Sequence, residues 1–216
     1  MMRKLSLICS ILSAVVMIVL VATLLPDTVA THYNIHGVVD SWGSKWIYCI
    51  FALLPLIIHL CYEIYRRKTA PDKRGAEEKI VMFIPFLFIA ISWILFPFDP
   101  AATSMNPARL SWLLTLIGLA MMYISNYMGK LPQNWHTGLK TPWTLMNETV
   151  WKKTHRIGGF LGMAGGAVIV IASIIAMCNP QNAFLWNMIG LIAGITLTVI
   201  IPSIYSAVLY AKIKKQ

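Results

Sequence analysis

The sequence predicts an all-α integral membrane protein, a six-transmembrane-helix bundle with both termini in the cytoplasm and a short interfacial amphipathic helix before the fifth span. Three observations predict it. Six apolar runs are long enough to cross a bilayer, the basic residues fall almost entirely on one side of them, and one inner connection is rich in tryptophan. Hydrophobic residues make up 58% of the 216 and charged residues only 12%, against roughly a quarter charged in a soluble domain.

A spanning helix needs about 20 predominantly apolar residues, because hydrocarbon offers no partner to an exposed backbone N–H or C=O. The expected spans are 5–25, 46–65, 80–98, 110–127, 157–177 and 184–210. Arg3 and Lys4 precede the first as they would a signal peptide. Its apolar stretch exceeds a typical signal h-region and no small-x-small site closes it, so a retained span is expected. The sixth is long enough to tilt, or to bend at Pro202.

Orientation follows from charge. Of the 18 Lys and Arg, only Lys45 and Arg109 lie on the opposite side from the other 16, and the positive-inside rule places that majority side in the cytoplasm. The net charge of +10 then belongs to loops lying against anionic lipid head groups. Aromatic and basic residues do not interleave as on a nucleic-acid surface, so no direct nucleic-acid contact is expected. The chain divides into a helix–outer loop–helix unit over 1–66, a basic linker over 67–79 and a four-span unit over 80–216.

The cysteines, Cys9, Cys49, Cys61 and Cys178, show no metal-ligand spacing. A Cys49–Cys178 bridge is conceivable, but free thiols are expected.

Two non-membrane stretches carry most of the information. The outer one, 26–45, opens with Pro-Asp and has turn formers throughout, so it reads as an ordered loop rather than a helix. His32, His36 and Asp40 lie within nine residues and invite a zinc site. Asn34 and Gly37 interrupt any helix that would align such ligands, so hydrogen-bonded loop architecture is expected and no metal. The inner one, 126–156, concentrates Trp135, Trp143 and Trp151, a residue that favours the membrane–water interface. Gly138 and Pro142 make its first part turn-rich. After Pro142 the pattern becomes helical, with Thr144 or Asn147 as the N-cap. Trp143, Met146, Val150 and Ile157 share one face of an amphipathic helix lying on the inner leaflet, and Trp151 and His155, four apart, stack on adjacent turns.

These stretches together resemble the SdpI family of bacterial membrane proteins, whose prototype confers immunity to a secreted peptide toxin. The inner signature, within 126–159, comprises Asn134, Gly138, Lys140, Thr141, Pro142, Trp143, Thr144, Leu145, Trp151, Thr154, His155, Arg156, Gly158 and Gly159. The outer stretch is similar to the small domain that often precedes it, through Leu25, Pro26, His32, Asn34, Gly37 and Asp40, with Lys45 closing the loop. Lys140 stands where the family more often shows Arg, so a bidentate guanidinium contact becomes a point-charge contact.

The resemblance implies an immunity protein in the cytoplasmic membrane of a bacterium. The outer loop (His32, Asn34, Gly37, Asp40, Lys45) would face a secreted peptide toxin. The inner signature (Asn134, Gly138, Lys140, Thr141, Pro142, Trp143, Thr144, Trp151, His155, Arg156) would either dock a cytoplasmic autorepressor or serve the fold. A small transporter or channel is the competing class. Its candidates are His59 and Glu63, four apart on the second span, although both sit toward the cytoplasmic end, where a carboxylate reaches water or pairs with Arg66 or Arg67. Pro55 and Pro85 would open helix backbones, a common feature of membrane helices. An enzyme is not expected: there is no Ser-His-Asp order, no phosphate loop and no HExxH. No cofactor is implied. Gly158, Gly162 and Gly166 recur every four residues on the fifth span, with Gly159 and Gly165 nearby, and Gly190 with Gly194 on the sixth. This spacing joins those two helices within one chain, or two chains, and the six-residue turn from Cys178 to Ala183 favours the first.

Overall fold

A computed structural model describes residues 2–34, 37–68, 75–104, 106–135 and 137–215. His36 lies outside them. Among the described residues six helical stretches are long and apolar enough to cross a membrane. In chain order the elements are α1 (Met2–Leu24), β1 (Thr28–Tyr33), β2 (Val39–Ser44), α2 (Ile47–Lys68), α3 (Gly75–Leu95), α4 (Pro107–Met128), α5 (Pro142–Met146), α6 (Glu148–Cys178), α7 (Ala183–Ile195) and α8 (Ile201–Lys214).

The distribution of residues is that of a protein solvated by lipid. Ser6, Ser10, Ala14, Met17 and Val21 line the buried face of α1, while Ile8, Leu12, Val15 and Val19 are exposed. Ser92, Ser111, Ser125, Ser173 and Ser206 are likewise buried. Burying leucine gains little when the solvent is itself apolar, so small and weakly polar residues take the helix contacts and large apolar ones face outward.

The contacts divide the chain into two compact units. The first contains α1, the β1–β2 hairpin, α2 and residues 81–113. Its core joins Met17, Val21 and Leu25 to Val29 of β1, Tyr48 and Ala52 of α2, and Phe96. Pro55 lies inside α2 and has no N–H to give the carbonyl four residues back. That carbonyl belongs to Phe51, and Ser92 of α3 donates its hydroxyl to it at 2.8 Å.

The second unit contains residues 75–80 and everything from 114 onward. Ile80, Met128, Leu131 and Trp151 form its apolar centre. The glycines of α6 meet the last span as expected, and they also meet α4. A Cβ on Gly166 would sit 2.6 Å from the Gly118 carbonyl, and one on Gly118 would sit 2.7 Å from the Gly166 carbonyl. Gly158 meets Met128 and Gly162 meets Ser125. Gly158 and Gly166 therefore face α4, while Gly162 meets Ser125 of α4 and also Thr198 of the last span at 3.4 Å. Gly165, one position off the row, is the residue that meets Gly194 of α7, at 2.7 Å from its carbonyl. A four-residue stripe marks a face, and only the fold determines which helix covers it.

The last span is interrupted. A single π-helical turn, Thr196–Ile200, joins α7 to α8, just ahead of Pro202. A proline that cannot donate four residues back is accommodated by such a widened turn.

Candidate functional site

The outer stretch is a β-hairpin, not a loop. Residues 28–33 and 39–44 pair antiparallel, with register irregularities around His32. Thr, Val and Tyr predominate in β1 (TVATHY), and such residues favour a pleated strand. Asn34 makes the turn: its backbone N–H donates to the Val38 carbonyl (2.9 Å), its carbonyl accepts from Gly37 (2.9 Å) and its side chain accepts from Val38 (3.1 Å). The irregular register re-aims His32, so that its Nδ1 lies 2.6 Å from Asp40 Oδ1 with both side chains largely exposed. Lys45 closes the base, its ammonium donating to the Leu25 carbonyl at 3.1 Å and pairing with Asp27 at 3.3 Å. The connection between α3 and α4 joins in through Val39 N–H and the Thr103 carbonyl, 2.9 Å apart. His32, Asn34, Gly37, Asp40 and Lys45 thus all belong to the hairpin or its base. Among the described residues no group of three or more His, Cys, Asp or Glu gathers for a metal.

The inner signature folds into a hydrogen-bonded knot. Pro142 begins α5, and the residue before it, Thr141, is the N-cap in a reciprocal capping box with Thr144. Thr144 is therefore the third helical residue and not the cap. Asn147 (φ −143, ψ 120) ends α5 and caps α6, accepting from Val150 at 3.0 Å. The fifth membrane helix consequently starts at Glu148, and most of the segment expected as a separate amphipathic helix becomes its first turns. On that segment Lys152 and Glu148 pair at 2.8 Å.

Trp151 and His155 stack, with centroids 3.9 Å apart. They are 0% and 1% exposed, so Trp151 is no interfacial anchor. Its indole N–H donates to the Leu131 carbonyl at 2.9 Å. The Leu139 backbone N–H donates to His155 Nε2 at 2.9 Å, and Nδ1 lies 2.9 Å from the Trp151 carbonyl. That pairing assigns a neutral imidazole with its proton on Nδ1, since Nε2 must accept and Nδ1 must donate. Both ring nitrogens are occupied, leaving none for catalysis or a ligand. Gly138 (φ 109) passes directly over this ring. A Cβ there would collide with His155 and lie 3.3 Å from Trp151, so both the backbone angle and the space require glycine.

Other residues complete the knot. Asn134 accepts from Thr137 N–H (2.7 Å) and donates to the Pro132 carbonyl (2.8 Å). Lys140 contacts the Trp135 carbonyl at 3.4 Å. Trp143 is half-buried, while Trp135, Lys140, Lys152, Lys153 and Arg156 are exposed. Four members carried no sequence signal. Gln133 donates to the carbonyls of Thr144 (2.7 Å) and Leu145 (2.8 Å). Thr137 donates to Glu77 of α3 at 3.3 Å. Ser206 of α8 meets the Thr141 hydroxyl at 3.0 Å. Pro at the first helical position was the available signal for Thr141 as cap, whereas long-range side-chain partners have none.

His59 and Glu63 do approach, at 3.9 Å, and Glu63 pairs with Arg3 of α1 at 3.0 Å. Ser6 contacts His59 Nδ1 at 3.2 Å. The four cysteines are free.

Residues 130–206 match the SdpI/YfhL protein family. The likeness is to this segment of the chain. It begins one residue before Leu131, which accepts from Trp151, and ends on Ser206, which meets Thr141. Residues 9–58 match a domain of unknown function, DUF1648, which takes in most of α1, the hairpin and the first half of α2. The chain is also 37% identical over 57 residues to Immunity protein SdpI of Bacillus subtilis (strain 168), a stretch covering 26% of this chain and 28% of that protein. No solved structure matches. The SdpI segment and the six apolar helices make this a multi-pass membrane protein.

Proposed function

We propose that the chain is an immunity protein of the bacterial cytoplasmic membrane, protecting its host against a secreted antimicrobial peptide. The observation that carries this reading is the SdpI segment, whose signature residues are tied into one knot between Leu131 and Ser206. With both termini inside, as the basic residues argue, the β1–β2 hairpin faces the medium from which such a peptide arrives. His32 and Asp40, exposed and paired, lie at its surface. The helices bury few ionisable groups, and Glu63, the acidic one near the end of α2, is held by Arg3. This favours peptide binding over a proton-coupled transporter. The test is a survival assay in a peptide-sensitive bacterium expressing the full chain and challenged with purified membrane-permeabilising bacteriocins. Increased survival at verified membrane abundance is expected, and full sensitivity to every peptide would refute the reading.

A cytoplasmic repressor partner belongs to the same proposal. Its docking surface would be the exposed side of the signature, Trp135, Lys140, Lys152, Lys153 and Arg156, because Trp151 and His155 are enclosed. Membrane retention of such a repressor, lost on Arg156→Glu, is the outcome that tests it.

A further inference from the structure

Within the first unit a pocket of about 200 Å³ lies against β1. Its walls include Ala30 and Tyr33 of β1, Tyr48 and Phe51 of α2, and Leu113 of α4, with Arg109 from the first turn of α4 beside them. The wall is firm: Ala30 and Tyr48 are buried, and the Tyr48 hydroxyl contacts the Ala30 carbonyl at 3.4 Å.

Arg109 is one of two basic residues on the hairpin side of the sequence, and the other, Lys45, is already paired with Asp27. Arg109 is half-buried, and among the described residues no carboxylate forms an ion pair with it. Asp99, the acidic residue of the adjoining connection, instead accepts from the Ala101 N–H at 3.3 Å. A partly desolvated guanidinium without a counter-ion is an unfavourable arrangement that an incoming anion relieves, and its planar fork matches a carboxylate. A cavity of roughly 150 Å³ holds one benzene ring, so the space suits a single aromatic or branched side chain and is small for a lipid acyl chain.

We propose that this pocket receives the C-terminal residue of an apolar peptide, its side chain between Tyr48 and Leu113 and its carboxylate on Arg109. The proposal rests on the immunity reading for the origin of the peptide, and its chemistry is tested separately from that reading. The full-length protein in zwitterionic nanodiscs is titrated with N-acetyl-L-phenylalanine and with its uncharged amide, followed by ligand-observed NMR. The carboxylate should bind about tenfold or more tighter than the amide. Arg109→Gln should abolish that preference at unchanged thermal midpoint, Arg109→Lys should retain part of it, and Leu113→Trp should exclude both probes. Equal affinity for the two probes, or an unchanged preference in Arg109→Gln, overturns the proposal. So does loss of the preference when phosphatidylglycerol is added to the nanodisc, which would make a lipid head group the occupant. A chain that prefers the carboxylate but fails to protect cells overturns the immunity reading alone. A chain that protects cells without the preference overturns the pocket alone.

Discussion

Ser92 supplies the Phe51 carbonyl with the hydrogen bond that Pro55 withholds. A backbone acceptor freed inside a membrane helix has no water to turn to, and here the neighbouring helix serves it. The same hydroxyl lies 2.7 Å from the Phe88 carbonyl of its own helix, so one side chain sits between two backbones.

Ser92→Ala is therefore expected to destabilise the protein by about 1 kcal/mol, within the range measured for interhelical hydrogen bonds in membranes. Restoring the N–H with Pro55→Ala should make the Ser92 substitution cheaper. A double-mutant cycle of thermal midpoints in detergent measures this coupling, and strictly additive effects would show that Ser92 does not serve the Pro55 gap.

At the crossing of α4 and α6, Gly166→Ala places a methyl against the Gly118 carbonyl and the Met122 side chain, both at 2.6 Å. Backbone must move, and a loss of about 1–3 kcal/mol is expected. Gly129→Ala is the control, since its Cβ would meet only the Arg156 Cα at 3.7 Å. Unfolding curves for the pair should separate clearly.

For the signature, ¹⁵N-histidine NMR of the full chain should show His155 at neutral pH as the Nδ1–H tautomer, with an unprotonated Nε2 shift. Gly138→Ala should shift those resonances or abolish folded protein. A resonance pair showing protonated Nε2 would contradict the Leu139 hydrogen bond.

At the hairpin, His32→Ala and Asp40→Ala remove an exposed pair worth about 0–1 kcal/mol. Membrane abundance should stay near wild type while survival under peptide challenge falls. Full protection in both variants would remove the hairpin surface from the function.

Placement of the hairpin outside is open to a direct check. Ser44→Cys should react with a membrane-impermeant maleimide in intact cells, and Lys215→Cys only after permeabilisation, in a background free of native cysteines.

The spans were legible because bilayer thickness imposes a length that composition alone reveals. Local chemistry was legible in part. The Trp151–His155 spacing foretold their stacking, but the preference of tryptophan for interfaces gave way to a buried carbonyl at Leu131. The Thr-Val-Tyr run of β1 held a strand signal that the surrounding turn formers obscured. Partners distant in sequence, such as Gly118 for Gly166, Arg3 for Glu63 and Ser206 for Thr141, leave no periodicity to read. They are chosen by packing after the helices exist.

The Thr141–Ser206 contact has a consequence for biogenesis. Its two residues are 65 positions apart, so at ordinary translation rates roughly 3–13 s separate their synthesis. Throughout that interval the capping threonine has no Ser206 to meet. A chain ending before Ser206 would lack this contact, so the signature is completed only once α8 has been made.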